Sequence, residues 1–154
     1  MTVYSFIDVQ ATIVGPGGVV DLGMGAGTAE EGISYEMAED KGSMVLGSSG
    51  DWMQSLHAGH SGSVTVRLLK TSPTNSLLSL MYDTQRIASA LWGNNVIVIR
   101  DISRGDVITA VGVAFRRTPS NTFGKEGNIL EWGFIAGKIE PIFGAGTVPF
   151  TQAA

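Results

Sequence analysis

Hydrophobic and polar residues alternate along much of this chain. Over residues 3–14, Val3, Ile7, Val9, Ala11 and Ile13 share one parity, with Ser5 as a polar exception, while Asp8, Gln10 and Thr12 take the other. That pattern predicts a half-buried strand with one wetter face. Gly15-Pro16-Gly17-Gly18 ends it. Residues 15–32 then hold seven glycines, a density that argues against helix and against a rigid strand and predicts a long arm or loop. Alternation resumes over 33–37 as a return strand. Two strands follow, over 51–58 and 63–70, joined by the turn Gly59-His60-Ser61-Gly62. Three more are expected over 96–100, 107–117 and 129–139. In the last, Leu130, Trp132, Phe134 and Ala136 share one face.

One helix interrupts this series. Glycine is absent from residue 63 through 92. Ser72-Pro73 supplies a capping hydroxyl before a proline suited to the first helical position. Leu77, Leu80, Met81, Ile87, Ala88 and Leu91 then fit one apolar face, and Gly93-Asn94-Asn95 stops the helix. The expectation is a mainly β chain, with a single β-barrel or sandwich domain over 1–154. It carries one flanking helix at about 73–92, a glycine-rich arm at about 15–50 and an irregular tail at about 141–154.

Composition narrows the chemistry. The 154 residues are 44% apolar and 16% charged, which excludes wholesale disorder. The 21 glycines show no three-residue period, and the absence of cysteine removes disulfides, thiolate metal sites and cysteine nucleophiles. Aliphatic runs such as Val96-Ile97-Val98-Ile99 are far too short for a transmembrane helix. Met1-Thr2-Val3-Tyr4 lacks a basic start and an apolar core, so no secretion signal is expected. The net charge of −4 is unevenly spread: residues 1–60 hold eight acids against one base, and residues 61–154 nine bases against six acids. Opposite halves suit head-to-tail association, and no concentrated Lys/Arg patch marks a dedicated DNA-binding surface.

Catalytic constellations are absent from the pattern. Gly23-Met24-Gly25-Ala26-Gly27 lacks the third glycine and following helix of a nucleotide loop. His57 and His60, with Asp51 nearby, flank a turn and read as turn residues rather than metal ligands. Glu30/Glu31 and Glu39/Asp40 lie in loop-like sequence without the apolar surround that tunes a catalytic carboxylate pair. Trp92 and Trp132 read as core, and Trp52 alone is flanked by polar residues. No enzyme, cofactor or metal is expected; the positive inference is a structural protein.

Several stretches together resemble the tail tube (inner tube) proteins of contractile-tailed bacteriophages. They are Tyr4-Ser5-Phe6-Ile7-Asp8-Val9 leading to Ile13-Val14-Gly15-Pro16-Gly17-Gly18, the block from Gly50-Asp51-Trp52 to His60-Ser61-Gly62, and Val64 through Asn75. Gly105-Asp106-Val107-Ile108-Thr109, Glu131-Trp132-Gly133-Phe134 and Ala136-Gly137 complete the set. The Arg67-to-Asn75 block is the most specific, and the similarity spans about residues 4–146. The resemblance implies six subunits closing into a ring and rings stacking into a hollow tube inside a sheath, conducting DNA without chemistry. It implies as partners the chain itself and the sheath protein, with tape measure, baseplate and tail terminator proteins. It places the chain in the virion tail, after assembly in the host cytoplasm. Alternatives are the tube of a phage-tail-like injection particle and, from another class, a carbohydrate-binding β-sandwich. Ring closure would satisfy exposed strand edges, and head-to-tail stacking would make an open filament. Candidate lumen-facing residues are Asp8, Gln10, Thr12 and Glu131, with Glu36 also available and Arg116 and Arg117 expected to point outward. Candidate ring-stacking residues on the arm are Asp21, Glu30, Glu31, Glu39 and Asp40.

Overall fold

A computed structural model describes residues 3–23, 25 and 27–144, and for residues 28–31 the backbone alone. Nine strands and one helix appear in the order β1 (Val9–Gly15), β2 (Gly18–Asp21), β3 (Thr28–Met37), β4 (Gly42–Leu46), β5 (Trp52–Leu56), β6 (Gly62–Leu69), α1 (Thr74–Gln85), β7 (Asn95–Asp101), β8 (Asp106–Arg117) and β9 (Ile129–Ile142). Seven strands form one antiparallel sheet in the order β2-β1-β7-β8-β9-β6-β3, and β4 and β5 pair separately. The sheet does not close into a barrel: β2 and β3 stand at its two edges.

A glycine pair folds this sheet into a sandwich. Ala110 pairs with Ile139 and Val113 with Ala136, and all four are buried although each pair is three residues from the next. Side chains therefore change sides across Gly112 and Gly137, where Gly112 takes φ +62°. One layer holds β2, β1, β7 and the adjoining ends of β8 and β9. The other holds the remaining ends of β8 and β9 with β6 and β3. Ala11, Ile13 and Ile97 of the first layer meet Val64, Val66 and Phe134 of the second in one core. The alternation expected in the first strand holds for Val9, Ala11 and Ile13, and that of β9 for Leu130, Trp132, Phe134 and Ala136, all buried.

Several boundaries differ from the sequence expectation. Residues 6–8 form a 3-10 turn, not strand, because Ser5 Oγ accepts from Ile7 N and Asp8 N donates to Ser5 O. Ile7 consequently faces solvent. The arm is largely strand: Gly15 pairs with Gly18 across a tight Pro16-Gly17 turn, and β3 begins at Thr28. Gly17 takes φ +106°, and a Cβ there would lie 3.3 Å from Met81 Cα, so glycine lets α1 approach. The tail expectation is also corrected, since Pro141 and Ile142 belong to β9; residues 145–154 lie outside the described residues.

The helix starts where Ser72-Pro73 places it, with Ser72 Oγ accepting from Thr74 N at 3.2 Å. It ends at Gln85, and a separate 3-10 turn covers Ser89–Leu91. Its buried stripe is Thr74, Leu78, Met81 and Gln85. The expected face holds only at Met81: Leu77, Leu80 and Ile87 are exposed. Trp92 is exposed too, resting edge-on against Tyr82 at 5.9 Å, whereas Trp132 is buried and donates Nε1–H to Asn75 Oδ1 at 3.0 Å.

Candidate assembly surface

The β4–β5 ribbon projects from the sandwich between β3 and β6. Its strands pair from Gly42↔Leu56 to Leu46↔Trp52. The tip closes through Gly47 N to Asp51 O at 2.6 Å and Gly50 N to Gly47 O at 3.1 Å, with Gly50 at φ +88°. Strand alternation puts Met44, Leu46, Trp52 and Leu56 on one face, joined by Gln54. Val45 and Met53 lie on the other with Ser43 and Ser55. All six large apolar side chains are exposed, Trp52 at 69% and Leu56 at 86%. A two-stranded ribbon is marginal in water on its own, and an apolar face of this kind marks an interaction surface.

The ribbon is anchored at its root. Ala38 N donates to Ser61 O, His57 N to Lys41 O and Ile139 N to His60 O. The Lys41 ammonium donates to His57 O at 2.8 Å and lies 3.2 Å from His60 Nε2. His57 Nε2 is 3.1 Å from Ser43 Oγ. Glu39 crowds Gly59 so closely that any side chain there would strike its carboxylate.

The two layers of the sandwich present open faces that point away from one another. On the first, Gln10 and Thr12 alternate with buried Val9, Ala11 and Ile13, and Thr12 Oγ1 lies 3.4 Å from Asp21 Oδ1. Arg100, Lys138 and Glu140 share this face, the last two in a 2.9 Å ion pair. That pair holds the Glu140 carboxyl below the ordinary carboxylate range, chiefly by the Lys138 hydrogen bond and then by its charge. Desolvation opposes these, and His60 adds the smallest pull. On the second open face, Glu131 sits opposite Arg67, 3.7 Å from its guanidinium, and Arg67 also donates to Ser34 Oγ. Glu36, Arg116 and Arg117 share that face.

The sequence-derived candidates thus fall in four places. Asp8 lies in the 3-10 turn, where its carbonyl accepts from Ile102 N. Gln10, Thr12 and Asp21 share the first open face, and Glu131 lies on the second. Glu39 and Asp40 stand at the ribbon root. The side chains of Glu30 and Glu31 lie outside the described residues. Charge led the sequence reading to acids and past Met44, Leu46, Met53 and Leu56. The available signal was the spacing of Met44/Leu46 and Trp52/Leu56 around Gly47-Ser48-Ser49-Gly50.

No curated protein matches the chain. Solved structures share its fold. The sheath–tube complex of an extracellular contractile injection system (PVC, extended state) aligns with TM-score 0.51 and 11% identity, over 87% of this chain and 88% of that one. The tube-terminating cap of the anti-feeding prophage aligns with TM-score 0.51 and 9% identity, over 93% of this chain and 94% of the cap. At such identities the likeness is one of fold. Family membership rests on sequence: the family model described as bacteriophage PhiTE tail tube protein matches residues 1–144. The chain belongs to that tail tube family.

Proposed function

We propose that this tail tube subunit closes into rings, six to a ring, and that rings stack through the β4–β5 ribbon into a hollow conduit for DNA. The observation that carries the proposal is the ribbon's exposed apolar face. Burying Met44, Leu46, Trp52 and Leu56 against a second copy would contribute about 1.5–3 kcal/mol per side chain. The free edges at β2 and β3 supply the second contact, since adding a neighbour's strand satisfies backbone groups that face water. Ribbon and receiving surface differ, so the contact is heterologous and propagates as a filament. The sheath and the tail terminator are proposed partners because structures of this fold occur in a sheath–tube complex and as a tube-terminating cap. Tape measure and baseplate proteins would meet the tube at its bore and base. The work is mechanical and no catalytic step is assigned.

Negative-stain microscopy of the purified chain tests this. Wild type should form rings or tubes. The double variant Leu46→Ser, Trp52→Ser should remain a folded monomer with an unchanged circular dichroism spectrum. Normal tubes from that variant would remove the ribbon from assembly.

A further inference from the structure

The root of the ribbon holds a contact that tolerates only one protonation state. Lysine's ammonium has three donors and no acceptor. Lys41 Nζ lies 3.2 Å from His60 Nε2, so that nitrogen must present its lone pair, with the imidazole hydrogen on Nδ1. The same ammonium donates to His57 O at 2.8 Å. Lys41, just before β4, therefore ties the chain entering the ribbon to both ends of the segment leaving it. The other root contacts are three backbone hydrogen bonds and the Ser43–His57 side-chain contact, and β4 and β5 pair chiefly with each other.

We infer that Lys41 and His60 form a pH-operated latch that fixes the ribbon's angle on the sandwich when His60 is neutral and frees it when His60 is protonated. Protonation converts Nε2 from acceptor to donor and sets a second positive charge against the ammonium. Imidazole changes charge between about pH 5 and pH 8, where lysine stays charged. The surrounding charges define where an imidazolium would turn. His60 is bonded through its carbonyl to Ile139 N, next to Glu140 on β9. Glu140 already pairs with Lys138, and His60 lies within electrostatic reach of its carboxylate. Glu39, in the bend between β3 and β4, lies against Gly59. Released from Lys41, a charged His60 has Glu140 and Glu39 as opposing partners and Lys138 as a repelling neighbour. His57 is the built-in contrast. It faces Ser43 Oγ at 3.1 Å, and a hydroxyl can donate or accept, so that contact survives protonation.

The inference rests on the ribbon being the assembly element, because ribbon angle would then decide whether a subunit can join the tube. Its test is made on the unassembled full-length subunit, so it is separate from the microscopy above. The chain has no cysteine, so two can be introduced cleanly for spin labels, Ser49→Cys at the ribbon tip and Ser76→Cys on the helix. Their distance distribution should be narrow at about pH 8 and broaden about twofold at about pH 5.5. His60→Gln, which offers a non-titrating acceptor, should be narrow at both. Lys41→Gln should be broad at both, and His57→Gln should respond like wild type. An unchanged wild-type width, or a response that follows His57 and not His60, would overturn the latch. Tubes assembled by the Leu46→Ser, Trp52→Ser variant would overturn the assembly role and leave the latch standing.

Discussion

Gln85 and Asn95 hold each other through two side-chain amide hydrogen bonds, and both residues are wholly excluded from solvent. Gln85 Nε2 donates to Asn95 Oδ1 at 2.6 Å, and Asn95 Nδ2 donates back to Gln85 Oε1 at 2.8 Å. Their second amide hydrogens go to Pro16 O and Val113 O, each at 2.9 Å. One satisfied polar cluster thus joins the end of α1, the β1–β2 turn, the start of β7 and the middle of β8. Gly15 lies against Asn95 with no room for a side chain.

Removing either amide should leave the other buried and under-bonded, costing about 1–3 kcal/mol. Gln85→Ala and Asn95→Ala should each lower the urea midpoint. Together they should cost less than their sum, with coupling of about 0.5 kcal/mol or more. Strictly additive losses in that double-mutant cycle would mean that the two amides act independently.

The helix offers a comparison between near neighbours. Leu78 is fully buried and Leu80 is 63% exposed. Leu78→Ala should destabilise by about 2–5 kcal/mol, whereas Leu80→Ala should change stability by less than about 0.5 kcal/mol. Chemical denaturation of the two variants reads this directly, and equal losses would contradict the placement of the helix.

That pair also shows what was legible in the sequence. Strands β6 and β9 were plain, because Val64, Val66 and Leu68, and Leu130, Trp132 and Phe134, are apolar at every buried position. On α1 the buried stripe begins and ends with Thr74 and Gln85, which are polar. Gln85's partners, Pro16 and Asn95, lie elsewhere in the chain, so hydrophobicity pointed to Leu77 and Leu80 instead. Glycine misled in a similar way. Gly15 and Gly17 are spaces for Asn95 and for α1, not signs of a loose arm. The ribbon's strand pattern resembles that of a core hairpin, and only three dimensions show that none of the described residues covers it.

Glu140 should titrate below its ordinary value of 4.5, held down by the hydrogen bond and charge of Lys138. A carboxyl depressed in the fold stabilises the protein above its unfolded pKa, and that contribution fades as pH falls through the folded value. The window here therefore lies below about pH 4.5. In Lys138→Met the Glu140 midpoint, followed by carboxyl carbon NMR, should rise toward 4.5. An unmoved midpoint would show that Lys138 is not the cause.

In the proposed ring, one of the two open faces lines the bore. A conduit must not hold phosphates, because each Lys or Arg contact releases counterions and adds affinity. Among the described residues the first face carries no excess of either sign, and the second carries one extra base. Asp21 and Glu140 balance Arg100 and Lys138 on the first, whereas Glu36 and Glu131 meet Arg67, Arg116 and Arg117 on the second. Slipperiness of the first face would then come from neutrality, with Lys138 held by a carboxylate. Gln10, Thr12 and Asp21 give the first face a polar row, which makes it the proposed wall. Particles carrying Thr12→Lys in every subunit should eject DNA more slowly, with the delay relieved as salt screens the new contacts. Glu131→Gln, which frees Arg67 on the second face, should leave the rate unchanged. The reverse outcome, a salt-sensitive delay from Glu131→Gln and none from Thr12→Lys, would turn the subunit around and place Glu131 at the channel.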